Sequence, residues 1–189
     1  MTTMPATTAV RLTAEEATAR APGGRWELVR GEVITHVPVQ PEHGDWVQAI
    51  STAVENQLGG RHRALMGPEI GFIVSRNPDT VRAPDWSFTW REQAEARRRG
   101  AWIEGGPHLA VEVISPDELW RDVQEKVDEY LGAGSQLVWV VNPQARTVHV
   151  IRPDAPIAVL HVGDSLTADP VFSGLALPLA DLFGGGPST

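Results

Sequence analysis

Cysteine is absent from this chain of 189 residues, which excludes a disulfide framework and a thiolate zinc site. Long apolar runs are missing as well. None approaches the ~20 residues that a membrane span requires, so no membrane partner is expected. The start, MTTMPATTAV, has no basic segment followed by an apolar one and does not read as a secretory signal. These absences make the cytoplasm the expected location. Positive charge is also in short supply. A net charge of −8 cuts against broad nucleic-acid binding, because phosphate contacts and counterion release favour basic surfaces. A locally basic groove stays open. REQAEARRRG holds Arg91, Arg97, Arg98 and Arg99 against two glutamates, and RHR (61–63) adds two arginines. A solvated face is the favoured reading of both stretches, and phosphate binding by Arg91, Arg97, Arg98 and Arg99 is the alternative.

What is present fits one domain with a real core. Apolar residues make up 42% and charged residues 21%, ordinary values for a globular chain. Residues 1–10 are expected to be disordered, 11–183 to form a single domain, and 184–189 to be a flexible tail. Thr13 and Glu16 stand in capping-box spacing and predict a short helix in TAEEATAR. WELVRGEVITHV predicts two strands around Arg30–Gly31. PEHGDWVQAISTAVENQLGG predicts a helix with Pro41 in its first turn, a row of Trp46, Ile50, Val54 and Leu58, and a stop at Gly59–Gly60.

Short strands are then predicted in ALM, IGFIVS and VRAPDWSFTW, broken by Gly-Pro and Asn-Pro. The arginine-rich segment reads as a helix or lid-like loop. HLAVEVIS and QLVWVVNP are apolar runs of the kind buried within a sheet. The helix between them, starting after Pro116 and running to about Leu131, makes a crossover, so these strands should be parallel neighbours or near neighbours. RTVHVI and IAVLHV predict antiparallel strands, and LPLADLF a closing helical turn. The expected class is α/β (α+β): a mixed central β-sheet flanked by helices, with an N-terminal hairpin and C-terminal antiparallel strands.

Two acids occupy expensive positions. Glu112 interrupts LAVEVIS, and its side chain points opposite to those of Val111 and Val113. Asp85 follows Pro84 at the head of WSFTW. On adjacent strands, ~4.8 Å apart, two such carboxylates can share one ion, and oxygen-only donors suit Mg2+ or Mn2+. The competing readings are a turn or capping aspartate for Asp85, and a buried ion pair with an arginine for Glu112.

Lysine is scarce among the basic side chains. Lys126, in DVQEKVDEY, is the only one, while the other fifteen basic residues are arginine. On the helix wheel it falls inside the edge of an apolar arc made by Leu119, Val123, Val127, Tyr130 and Leu131. Asp122, one turn earlier, is a candidate i,i+4 partner, and a snorkelling surface pair is the bland reading. That reading does not explain the identity, because arginine pairs at least as well. Lysine supplies a compact point charge able to orient a water or exchange a proton.

Asp85 in APDWSF, Glu112 in HLAVEVIS, the D-x-x-x-K-x-x-x-Y spacing of Asp122, Lys126 and Tyr130, and the following GAGSQLVWVVNP resemble the Uma-two-type family of putative restriction endonucleases. That family belongs to the PD-(D/E)XK nuclease superfamily. WELVRGEV resembles its opening hairpin, and His43 its histidine at the head of a helix; the likeness runs from about Trp26 to Asn142. The resemblance implies a restriction-endonuclease-like sheet with Asp85 and Glu112 as metal ligands, joined by the backbone carbonyl near Val113. The superfamily's usual lysine position, two residues after the glutamate, is Ile114 here, so Lys126 would supply the lysine from the following helix. Glu27, His43 and Asp122 are candidate auxiliary residues. A hairpin ion pair and a surface histidine at a helix start are the bland readings of Glu27 and His43. The implied activity is Mg2+- or Mn2+-dependent endonucleolytic hydrolysis of DNA, by a chain expected to form a homodimer. The alternative is a catalytically silent nuclease-fold module for binding or assembly.

Overall fold

The computed structural model describes residues 11–20, 23–36, 38, 40–60, 62–116 and 118–184. The expected disordered start (1–10), all but Gly184 of the expected tail, and Arg61 of RHR lie outside the described residues.

Local signals act where the sequence places them. Helix α1 (Ala14–Arg20) opens on a reciprocal cap: the Thr13 N–H donates to Glu16 Oε2 at 2.9 Å, and the Glu16 N–H to Thr13 Oγ1 at 3.2 Å. Strands β1 (Trp26–Val29) and β2 (Glu32–Thr35) form the expected hairpin, turning at Arg30 and Gly31 with φ of 51° and 83°. Two successive positive φ values match the right-handed twist of the strands. Helix α2 (Pro41–Leu58) ends on left-handed Gly59 and buries Ile50 and Val54, with Trp46 and Leu58 partly covered.

Four strands follow: β3 (Ala64–Gly67), β4 (Phe72–Ser75), β5 (Thr80–Arg82) and β6 (Trp86–Trp90). The arginine-rich segment is a short helix, α3 (Arg91–Ala96), followed by β7 (Arg98–Arg99), which pairs with β8 (Trp102–Glu104). Then come β9 (Leu109–Val113), helix α4 (Trp120–Gly132), β10 (Leu137–Asn142), β11 (Thr147–Ile151), β12 (Ala158–Leu160), β13 (Ser165–Leu166), β14 (Leu177–Pro178) and α5 (Leu179–Gly184). Gly184 is the last residue of α5 rather than the first of a tail.

The fold is α+β, with two large mixed sheets where one central sheet was expected. The first has strand order β2-β1-β5-β4-β8-β7 and the second β12-β11-β10-β9-β6-β3; β13 and β14 form a small ribbon. The chain crosses between the two large sheets after β2, β3, β5, β6 and β8, and Pro84 breaks pairing at the crossing from β5 to β6. As expected, β9 and β10 are parallel neighbours joined by the α4 crossover, while β10, β11 and β12 run antiparallel.

One face of the second sheet packs Val111, Val113, Trp86 and Trp139 against α2 and α5. Its other face packs Ala110, Val138 and Val140 against Val123, Val127 and Tyr130 of α4, with Val74 of the first sheet on the same cluster. Helix α4 is therefore held by both sheets. It starts later than the sequence pattern suggests. Leu119 is extended and 51% exposed, off the apolar arc, and just before it the Glu118 N–H donates to the Ser115 carbonyl. Among the described residues, no helix is long and apolar enough to cross a membrane.

Candidate active site

Pairing between β6 and β9 brings the two acids together. The antiparallel register sets Trp86 opposite Val111 and Ser87 opposite Ala110, so one step further Asp85 faces Glu112. Both project to the α4 side, and both are buried, at 7% and 3% exposure. Asp85 borders a cleft of about 370 Å³ whose lining also includes Arg25, Glu27, His43, Glu118 and Lys126. Glu112 lies beneath that lining, reached through Lys126.

Every side-chain oxygen of the two acids has a protein donor. Asp85 Oδ1 accepts from Arg25 Nη2 at 2.9 Å and lies 3.1 Å from His43 Nε2; Oδ2 accepts from the Val113 N–H at 2.8 Å. Glu112 Oε2 accepts from Lys126 Nζ at 2.9 Å, and Oε1 from the Tyr130 hydroxyl at 2.7 Å. The two acids therefore differ in ionisation. Burial works against the Asp85 charge, but His43, the Val113 N–H and Lys126 outweigh it and hold the carboxyl below its usual range. Burial dominates at Glu112. Asp85 and Glu27 reinforce it against Lys126 and Tyr130, and the carboxyl is pushed up to about 7.

Lys126 is the pivot. Its ammonium bridges Glu112 and Glu118, with Nζ 3.0 Å from Glu118 Oε1, and its side chain is 18% exposed. Burial opposes the charge, but Glu112, Glu118 and Glu27 raise its pKa above the ordinary lysine value. The expected partner was Asp122, and the structure corrects this. Asp122 is 54% exposed and pairs with Arg121 at 3.1 Å. The i,i+4 relation carries no contact because Lys126 reaches across to β9 instead.

Glu27 and His43 both border the cleft. Glu27 accepts from Arg82 Nη1 at 3.0 Å and from the Ala83 N–H at 2.9 Å, with His36 Nε2 at 3.3 Å. Against burial, which raises it, these donors bring the Glu27 carboxyl down to about 2. Glu27 thus has the bland role of a hairpin ion pair and also faces the cleft. His43 is tied to Asp85 rather than free on the surface.

The arginines considered for phosphate do not border the cleft. Arg91 follows Trp90 at the far end of β6 from Asp85, ~20 Å of extended chain away. It donates to the carbonyls of His62 and Ala64, Arg97 to the Gly106 carbonyl, and Arg99 pairs with Glu104, while Arg98 is exposed. Sequence reasoning missed Arg25, Glu118, His36 and the Tyr130 hydroxyl as members of the site. Tyr130 carried a signal, since it is the single tyrosine of the chain. Arg25 carried none, lying 60 positions from the acid it binds.

Among the described residues no group of three His, Cys, Asp or Glu side chains is arranged to hold a metal ion. Asp85 and Glu112 nevertheless form a side-by-side pair of hard oxygen donors, and Val113 lines the same cleft. Mg2+ needs only one or two carboxylates, with water and phosphate completing its shell, so these residues fit it.

A family profile described as Uma2, putative restriction endonuclease, matches residues 12–180. The fold is similar to the crystal structure of a putative nuclease belonging to DUF820 from Anabaena variabilis ATCC 29413. That similarity has a TM-score of 0.77 at 21% identity and covers 92% of this chain and 98% of that one. A comparison with curated protein sequences finds no match.

Proposed function

The chain belongs to the Uma2 family of putative restriction endonucleases, and from that premise we propose that the cleft hydrolyses DNA phosphodiester bonds with Mg2+ or Mn2+. The observation that carries this reading is the facing pair Asp85 and Glu112, with the only lysine 2.9 Å from Glu112. A metal ion held by Asp85, Glu112 and the Val113 carbonyl supplies, when bound, the charge that polarises a phosphate oxygen and acidifies a water. Lys126 orients that water for in-line attack. Tyr130 and Lys126 fix the Glu112 carboxylate, and the Val113 N–H fixes that of Asp85. Arg25 and His43 border the same floor, and Arg25 is the arginine placed to meet a phosphate. A two-fold dimer would present one such cleft to each strand of a duplex.

The test is incubation of purified protein with plasmid and with single-stranded DNA, each with Mg2+ or Mn2+, beside Asp85→Ala and Lys126→Ala. The wild type should cleave and both variants should not. Equal cleavage by all three would mean a contaminant and end the enzyme reading. A second reading, a silent binding module, draws on the complete protein pairing of the four carboxylate oxygens. It predicts no metal-dependent rise in Tm, with wild type and Glu112→Ala behaving alike.

A further inference from the structure

Each cation of the cleft floor is held by two acids, one inside and one outside. Lys126 bridges buried Glu112 and the loop residue Glu118, whose side chain is 22% exposed. Arg25 bridges buried Asp85 and Glu69, with Nε 3.1 Å from Glu69 Oε1, and Glu69 is 49% exposed. The inner acids are explained by the candidate metal site. The outer two are not. Among the described residues they pair with nothing else of opposite charge, and Glu118 otherwise takes a long contact of 3.5 Å from the Ser115 N–H. Yet each places carboxylate oxygens within hydrogen-bond distance of a cation, where the oxygens of a bound phosphate would also have to lie.

We propose that Glu118 and Glu69 are internal counter-ions occupying two phosphate positions of the cleft, and that a nucleic-acid strand enters by displacing both. The inference rests on the phosphodiester reading above and adds where the backbone sits: one phosphate at Lys126 and a second at Arg25. It also gives two of the acids behind the net charge of −8 a role in a chain that must meet a polyanion. Two anions at the mouth reject loosely bound duplex, whereas a phosphate that reaches the metal ligands gains contacts able to replace them. Displacement is feasible because both outer acids are partly solvated and regain water when released. The inner acids have no such exit.

The experiment measures anisotropy of a short fluorescein-labelled DNA duplex, and of its single strand, in chelator so that no turnover occurs. Glu118→Gln and Glu69→Gln are compared with wild type and with Glu104→Gln. That control removes the same charge from a glutamate paired with Arg76 and Arg99, neither of which lines the cleft, whereas Lys126 and Arg25, the partners of Glu118 and Glu69, both do. Each cleft variant should bind about three- to tenfold tighter than wild type, and the double variant by about the product. The control should change little. Inorganic phosphate should also raise the Tm of the double variant more than that of wild type, a readout independent of DNA length or shape. Binding by wild type that is unchanged or weakened in both cleft variants, or tightened equally by Glu104→Gln, would overturn the proposal and leave the nuclease reading standing. If neither wild type nor any variant binds DNA or phosphate, the phosphodiester reading fails and takes this inference with it.

Discussion

Replacing Lys126 by methionine keeps a long unbranched side chain on α4 and removes the ammonium from Glu112. The cost follows from how the pair ionises. The Glu112 carboxyl, pushed up from 4.5 to about 7, is a burden on the fold. An acid whose folded pKa exceeds its unfolded one loses stability as pH rises through that interval, here on the order of a few kcal/mol by pH 8. The raised Lys126 has the opposite sign. Its contribution is fully present below the unfolded value of 10.5 and is lost only as pH rises through the folded value. A buried pair of this kind commonly adds little net stability, whereas removing one partner leaves the other charge uncompensated. Lys126→Met alone should therefore cost about 3 kcal/mol at pH 8, or a Tm lower by about 6–12 °C for a chain of this size. The double variant Lys126→Met with Glu112→Gln should recover most of that loss. The assay is thermal unfolding followed by circular dichroism in chelator, run as a double-mutant cycle. A double variant as unstable as the sum of the singles would refute the reasoning, and so would a Lys126→Met protein with unchanged Tm. Cleavage should be lost in all three variants, which separates what the pair does for the fold from what it does for catalysis.

Two further outcomes test the support around the site. Tyr130→Phe removes the 2.7 Å hydrogen bond to Glu112 from a fully buried position; it should cost about 1–2 kcal/mol in unfolding experiments and lower kcat more than it raises KM. Asp79 accepts from the Ala14 N–H and pairs with Arg76 at 2.7 Å; against burial, these partners hold its carboxyl below 3.8. Its stabilisation is present above pH ~4 and lost as pH falls further, so Asp79→Asn should lower stability at pH 7 by about 1–2 kcal/mol and flatten the acid limb of the Tm–pH curve.

The parts of this fold that the sequence reveals are those decided over a few residues. The capping box of α1, the two-residue turn of the hairpin and the Gly59 stop of α2 each depend on neighbours in the chain. The facing of Asp85 and Glu112 was legible only through the family resemblance, because the residue pattern left open whether their strands are adjacent. The split into two sheets was not legible, because it is decided at long range. Gly71, beside β4, lies against the Trp102 ring, where a Cβ would come within 2.3 Å of a ring carbon. Nothing near Gly71 announces a tryptophan 31 residues away. The same limit hid Arg25 and Glu118, whose partners are fixed only once the sheets and α4 are in place. Leu119 misled in the opposite direction, since its spacing fits the helix arc while it stands extended and exposed just before α4.

Lysine at position 126 is the feature on which composition and geometry converge. The ammonium stands between two carboxylates, 2.9 and 3.0 Å away, with its stem among the residues of α4. Three donors radiating from one nitrogen meet acids that approach from β9 and from the loop before α4, an arrangement a planar guanidinium would have to widen. Arginine at 126 would carry the same charge but push Glu118 or Glu112 from its place, and could not present a single donor to a water over Glu112. Lys126→Arg should accordingly fold, with a Tm within a few degrees of wild type, and lose most cleavage under the conditions in which wild type is active. Full cleavage by that variant would return Lys126 to the role of a charge that any cation fills, and the absence of other lysines would then say nothing about mechanism.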